Sequence, residues 1–498
     1  MTSRLSYINS HHHLLDIIPI VESIPYPEQF SLNHFISRMV NSKNTVLLEG
    51  VSQQVKHDQF TYIGIDPYII IEDWNGKITE TAINSGAEKV SSCSIYDYLK
   101  NVLSRYSRIP DTTAPFSTGI MGLLSYESVS YLENISFNKP RRIGIPLSSF
   151  VIPRVIITVD NYKKQLDITY SLFTESFPIE HAQLQLDLAF KKIQEIKGII
   201  NASVNQKPFS PLPFLDPTVS IPYSCNITKS EFLNNIKRCQ SYILDGDIFQ
   251  VQFSRRASIP FDSNPFNLYA YVRCHNPSPL MFYTNFNDVV VLGSSPELLV
   301  NVDQNKMTIR PIAGTRKRFS KNRSEADIIH ELCHDEKEKA EHIMLVDLAR
   351  HDIGRACQTN SVVVNELMYI EKYSHVIHLV SDVVGQLKPN YDAIDALKFG
   401  FPAGTVTGAP KIRAIEIIED LENEQREFYA GGVVFADFTG DLKSALTIRT
   451  ICVKDGMSYT QAAGGVVADS IPEMEYLETE NKMKMSLTAM YQYGTNKK

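Results

Sequence analysis

Two carboxylates far apart in the chain are the first candidates for chemistry. Glu341 borders the apolar middle of HDEKEKAEHIMLVDLARHD (334–352), where an unpaired carboxylate is costly and a buried one calls for a cation. Glu478 lies in PEMEYLETENKMKM (472–485) with Glu475 and Lys482, and residues four apart share one face of a helix. Two carboxylates that leave several positions to water and substrate suit Mg²⁺. The bland reading of Glu478 and Lys482 is a surface ion pair worth about 0.3–0.5 kcal/mol. Other candidates are turns. Pro311-Ile-Ala-Gly-Thr-Arg-Lys-Arg318 places Gly314, Thr315 and cations where a strand should end, and backbone amides with a hydroxyl there can bind a carboxylate. QAAGGVVADS (461–470) reads as a strand ending at Gly464-Gly465, where glycine lets a ligand approach the backbone. Phe401 to Lys411 (FPAGTVTGAPK) is a Gly/Thr-rich loop ahead of a helix, an anion-binding arrangement without P-loop spacing. His378 falls in an apolar strand or helix, where a lone histidine is ordinarily structural.

The elements that must position these residues are mixed α and β. Short runs at Thr45–Leu48, Phe60–Ile63, Pro67–Glu72 and Arg154–Val159 have the apolar, β-branched character of strands. Residues 178–200 have apolar positions at helical spacing. Five prolines in 207–223 exclude a long helix or a central strand there. The expected organisation is an N-terminal part over 1–206, a Pro-rich connector over 207–224 and a second part over 225–498. The second part opens with a helix at 228–246 and a strand at Ile248–Phe253. Residues 288–312 predict a meander of antiparallel strands around a Ser-Ser-Pro turn, and one long helix follows near 324–350. Another starts after Pro410, a residue suited to a first helical turn.

Length allows about two or three domains. The formal net charge of −7 argues against nucleic acid, while a local pocket can still attract an anion. The seven cysteines are scattered and contain no CxxC pair, so reduced thiols in a cytoplasmic protein are expected rather than a disulfide framework or zinc ribbon. No apolar stretch of about 18 residues exists to span a membrane, and no secretory leader pattern is seen. His11, His12 and His13 read as incidental rather than as a metal site.

In this order the blocks resemble the chorismate-utilising enzyme family, and within it the anthranilate synthase component I branch. The resembling segments are GDIFQVQFSRR (246–256), NPSPLMFY (276–283), GSSPELLV (293–300), PIAGTRKR (311–318), AEHIMLVDLARHDIGR (340–355), FPAGTVTGAPKIRAIEII (401–418), YAGGVVFADFTGDL (429–442), IRT (448–450) and the stretch 461–482. The N-terminal 200 residues match more loosely, through LLEG (47–50) and FTYIG (60–64). The resemblance implies an α+β fold, a two-layer sandwich of large antiparallel sheets flanked by helices. It implies a Mg²⁺-dependent lyase that converts chorismate and ammonia to anthranilate and pyruvate through aminodeoxyisochorismate, the first committed step of tryptophan biosynthesis. Glu341 and Glu478 would hold the metal. Gly314, Thr315, Tyr429, Arg449, Ala463, Gly464, Gly465 and Lys482 would bind substrate, Arg449 through a planar fork suited to a carboxylate. Glu297 would protonate the departing hydroxyl, which needs a raised pKa. Thr405 and His378 would line the site, and His378 would assist pyruvate elimination.

The implied partner is a separate glutamine amidotransferase subunit that delivers ammonia. Tryptophan, as feedback inhibitor, would bind near Glu49, Gly50, Pro279, Leu280 and Met281. Gly50 stands where the family usually has serine, Leu280 where an aromatic residue is common, Ala463 where glycine is usual, and His351 where asparagine is usual. The alternatives are an aminodeoxyisochorismate synthase, which stops before pyruvate leaves, and an aminodeoxychorismate synthase component I, which carries a nucleophilic lysine where this chain has Ala313. Gln250 occupies the position of the lysine base of isochorismate synthases. A non-catalytic amino-acid sensor is the reading from another class, and the intact Glu297, Glu341, Arg449 and Glu478 set opposes it.

Overall fold

The computed structural model describes residues 2–50, 59–111, 113–206, 211–215, 219–318, 323–372 and 376–494. Parts of the Pro-rich connector, Ser374 and His375 of the His378 block, and the side chain of Thr315 lie outside that set. The described connector residues, 211–215 and 219–223, form neither helix nor strand.

Every strand pairing is antiparallel, and strands of both halves of the chain share two layers. In one layer Gln250–Pro260 pairs with Met457–Val466, followed by Thr450–Lys454, Val289–Ser295, Leu280–Phe286, Thr45–Gly50, Phe60–Trp74, Ser148–Asp160, Gln165–Phe173 and Ile17–Pro25. In the other, Phe60–Trp74 and Ser148–Asp160 continue into Gly119–Leu124, Gly432–Asp437, Leu442–Leu446, Leu298–Asp303, Lys306–Ile309, Val376–Gln386 and Val363–Lys372. The runs at Phe60–Ile63 and Pro67–Glu72 are thus one strand. It changes partners at an irregularity between Pro67 and Ile69, beside Asp66 at φ +55°. Strands that switch sheets at such bends join the layers of a sandwich.

Alternation along the strands sorts the core. Leu48, Phe282, Val291 and Cys452 point between the layers. Their neighbours Leu47, Met281, Leu292 and Ile451 point outward, under apolar residues of the helices Leu32–Val40, Ala182–Ala202, Pro265–His275 and Pro472–Gly494. Burying both faces of a strand explains why these segments read as unbroken apolar runs.

The expected meander is corrected at its Ser-Ser-Pro turn. Val289–Ser295 and Leu298–Asp303 do not pair with each other; the first belongs to one layer and the second to the other. Ser295 Oγ accepts the Glu297 N–H at 3.2 Å and donates to the Glu297 carbonyl at 3.0 Å, while Pro296 has no N–H to offer. The corner therefore satisfies itself instead of closing a hairpin, and it leaves Glu297 between the layers. The expected long helix is two, Glu325–His334 and Glu336–Ala356. Asp335 stays extended between them, its carboxylate accepting from Lys337 N and Glu338 N, the favoured role of aspartate at a helix start. The strand expected to stop at Gly314 runs from Ile312 to Lys317 with a bulge at Gly314, φ +73°.

Two buried glutamates clasp the halves reciprocally. Glu127, from the N-terminal half, accepts the amides of Arg426 (2.7 Å) and Glu427 (3.1 Å). Glu427 in turn accepts the amides of Ile143 (2.8 Å), Gly144 (2.7 Å) and Ile145 (3.1 Å). Truncating Glu427 to alanine removes the acceptor of three amides, those of the buried Ile143 and Ile145 and the half-buried Gly144. We expect Glu427→Ala to cost about 3 kcal/mol or more in a denaturant titration; a loss near 0.5 kcal/mol would show that the clasp contributes little.

Candidate active site

Two helices, three strands and the loops that connect them converge on a cavity of about 480 Å³. The Glu336–Ala356 helix presents Glu338, Glu341 and Leu345 to it, and the Pro472–Gly494 helix presents Glu475, Glu478 and Lys482. Both sets follow an i, i+3, i+7 stripe, which keeps three side chains on one helical face. Glu338 and Glu475 are the members that sequence reasoning left without a role, although the repeated three-residue spacing was readable. Gly464 is close-packed under the second helix, since a Cβ there would stand 2.8 Å from Glu475 Oε2.

The carboxylates repel one another across this space. Burial raises the pKa of Glu341, and the charges of Glu338 and Glu478 raise it further, against a hydrogen bond from Gln250 Nε2 at 3.2 Å. Glu475 is raised by burial and by Glu478, and its buried Oε2 has no hydrogen-bond partner. Lys482 Nζ lies 2.6 Å from Glu478 Oε1 and donates to the Ala463 carbonyl at 2.9 Å. Among the described residues no three acidic, histidine or cysteine side chains are already gathered around one point as metal ligands.

Opposite the carboxylates stands Arg449. Its backbone lies in the left-handed region at φ +49°, a conformation that costs a non-glycine residue about 1–3 kcal/mol. Burial pulls its pKa down, with no acidic neighbour acting on it, and no side-chain carboxylate pairs with it among the described residues. A desolvated guanidinium without an anion is an anion site by its physics.

Glu297 completes the cavity. It is 8% exposed, and burial pushes its carboxyl up to about 7, offset in part by a hydrogen bond from Thr405 and by the charge of Lys482. Thr405 Oγ1 donates to Glu297 Oε1 at 2.5 Å. Gly314, Tyr429 and Gly465 also line the cavity, as does Ala313. The Tyr429 hydroxyl is in hydrogen-bond contact with the backbone of Ala463. Thr315 lies opposite His378 in the strand register. His378 does not line the cavity; its ring contacts the Gly314 backbone, and burial together with the Arg449 charge lowers its pKa to about 4.

With this geometry in view, the comparisons with known proteins are decisive. Chorismate binding enzymes match residues 46–488 of the chain. The chain belongs to that family. The anthranilate synthase component 1 of Acetivibrio thermocellus is 35% identical over 480 residues, covering 96% of each chain, and that of Bacillus subtilis is 36% identical, covering 95% of this chain and 91% of its own. The crystal structure of anthranilate synthase component I from Streptococcus pneumoniae superposes with a TM-score of 0.75 at 31% identity, covering 94% of this chain and 99% of that one. The menaquinone-specific isochorismate synthase MenF of Escherichia coli shares the fold, with a TM-score of 0.68 at 18% identity over 98% of this chain and 99% of its own.

A second cavity, of about 600 Å³, lies between the layers and shares Pro296 and Ile312 with the first. Gly50, Pro279 and Leu280 line it. Glu49 and Met281 do not, because they face one another on the opposite side of the same strand pair. There the Glu49 carboxylate is held by Arg273, with contacts of 2.5–3.0 Å, and by the Tyr269 hydroxyl at 2.5 Å. No helix of the described residues is long and apolar enough to cross a membrane.

Glu297 supplies a sharp test of its own burial. A carboxyl whose folded pKa lies above the usual 4.5 binds a proton on folding, so it destabilises the fold as pH rises through that interval and does so fully above about 7. Glu297→Gln should therefore melt higher than the parent at pH 8, by an amount corresponding to at most roughly 3 kcal/mol, and no higher at pH 4. Equal melting at both pH values would mean that the carboxyl is not desolvated.

Proposed function

We propose that the chain is the chorismate-binding subunit of a Mg²⁺-dependent anthranilate synthase, acting on chorismate with ammonia supplied by a glutaminase subunit. The observation that carries this reading is that Arg449, with no carboxylate partner, and the buried Glu297 line one cavity with the carboxylates of two helices. The donor set fits a hard cation: Glu341 and Glu478 repel one another, and Glu475 keeps an unpartnered buried oxygen. Bound there, Mg²⁺ would supply positive charge to the ring carboxylate of chorismate.

The chain's own residues account for the rest. Arg449 offers a planar pair of donors to the substrate's second carboxylate, and the backbone around Ala463 to Gly465, Gly314 and the Tyr429 hydroxyl fix its orientation. Glu297, protonated below about 7, gives its proton to the departing ring hydroxyl as ammonia bonds to ring carbon 2, so water leaves rather than hydroxide. Pyruvate then departs with loss of a ring proton; His378, neutral above about pH 4 and set behind the cavity wall, would assist that step only indirectly, through the Gly314 backbone that its ring contacts. Ala313 provides no amine to compete with ammonia. Gln250, bonded to Glu341, cannot serve as a base for water, which favours this reading over isochorismate formation. The second cavity, at Gly50, Pro279 and Leu280, is where we place tryptophan as feedback inhibitor.

Purified chain given chorismate, Mg²⁺ and ammonium should form anthranilate and pyruvate in equal amounts, identified by fluorescence and by mass. Accumulation of aminodeoxyisochorismate or aminodeoxychorismate instead would overturn the assignment. Glu341→Gln should abolish turnover, by about a thousandfold or more, with an unchanged circular dichroism spectrum; near-normal activity would refute the metal role. Gly50→Ser restores the hydroxyl usual in the family and should lower the tryptophan concentration giving half inhibition. An unchanged or higher value would remove Gly50 from the effector site.

A further inference from the structure

Arg426 precedes the YAGGVVFADFTGDL segment and has no part in the chemistry described so far. It is 1% exposed, as large a buried cation as the fold contains, and its partner Glu422 is 5% exposed. Glu422 takes two of its donors, Nε at 3.0 Å and Nη2 at 2.8 Å. The remaining donors reach backbone oxygens of two different walls of the active-site cavity. Nη1 donates to the Val406 carbonyl at 2.7 Å and Nη2 to the Gln252 carbonyl at 2.6 Å. The guanidinium also stands 5.5 Å from the ring centre of Tyr429, a third wall. Glu422 extends the same network by accepting from Ser254 N at 2.9 Å and Ser254 Oγ at 2.7 Å.

Val406 directly follows Thr405, whose hydroxyl holds Glu297. A guanidinium is rigid and planar, so fixing it at Glu422 fixes the directions of its other donors. We infer that Arg426, braced by Glu422, is the positioning residue that holds Thr405 against Glu297 and sets Tyr429 and Gln252 around the substrate. A satisfied buried ion pair is weak evidence for stability, since apolar replacements often do as well. What a hydrophobic residue could not do is place three carbonyl- and ring-bearing segments at fixed distances from one centre.

This inference rests on the reading of Glu297 as a cavity carboxyl, and its test does not require that Glu297 be the proton donor. The hydrogen bond from Thr405 lowers the Glu297 pKa, while Lys482 and Tyr429 are the other titratable groups that face it. Glu297 can be titrated by its infrared carboxyl band, as the difference between each protein and its Glu297→Gln version. The wild type should show a midpoint near 7. Thr405→Val should raise it by about one pH unit, the equivalent of one hydrogen bond to a charged group. Arg426→Lys should raise it in the same direction, and the double variant should go no further than Thr405→Val alone. A merely structural arginine would leave the midpoint in place or add its own shift to that of Thr405→Val, and either result overturns the inference. If lysine does not permit folding, the neutral pair Arg426→Gln with Glu422→Gln carries the same comparison. Turnover measured against pH on the same proteins decides separately whether that proton is used, because loss of the alkaline limb in the wild type would discard the donor role while leaving the titration result intact.

Discussion

The constraint on which the structure turns is that charge has been gathered into one cavity without being fully neutralised. Arg449 is desolvated with no carboxylate partner, and the charges of Glu338 and Glu478, themselves paired with Arg316 and Lys482, raise the pKa of Glu341, while Glu478 also raises that of Glu475. Each group alone is unfavourable there. Together they form a field that the proposed cation on one side and substrate carboxylate on the other would relieve. A site built this way is complementary to its ligands before they arrive, and the surrounding fold must be stiff enough to keep its charges from finding each other.

The stiffness comes from crossing the chain through both layers. Phe60–Trp74 and Ser148–Asp160 each belong to the two sheets at once, and the Glu127 and Glu427 carboxylates join N-terminal turns to the segment that carries Arg426 and Tyr429. The strands that line the site, Gln250–Pro260, Ile312–Lys317 and Met457–Val466, pair within the C-terminal half, and neighbouring strands tie that framework to the N-terminal half, Leu280–Phe286 with Thr45–Gly50 and Gly432–Asp437 with Gly119–Leu124. The Ser295-Pro296-Glu297 corner shows how this serves chemistry. By refusing a hairpin it moves the chain from one layer to the other, and it leaves a carboxyl where burial raises its pKa and where Thr405 can reach it.

Much of this was written in the sequence. The helix at Ala182–Ala202 follows from apolar periodicity and the strands from β-branched runs, because both patterns are local consequences of burying one face or two. The family resemblance named Glu297, Glu341, Arg449 and Glu478 from motifs alone. Glu338 and Glu475 escaped, since their spacing does not differ from that of charged residues on a solvated helix face. The same reason hid Arg426, for an arginine reads as surface until its carbonyl partners, 20 and 174 residues distant, are known.

Residue types and their short-range order thus determined which groups are present, which elements carry them and which reaction class they suit. Only the tertiary structure decided that the Ser-Ser-Pro turn changes layers, that Asp335 divides one expected helix into two, and that Glu49 and Met281 face away from the cavity lined by Gly50 and Leu280. The physical reason is common to all three. The hydrogen bonds at Asp335 and at Ser295 are local, but whether they win over a continued helix or a hairpin, and which face of a strand meets which layer, depends on packing partners distant in sequence.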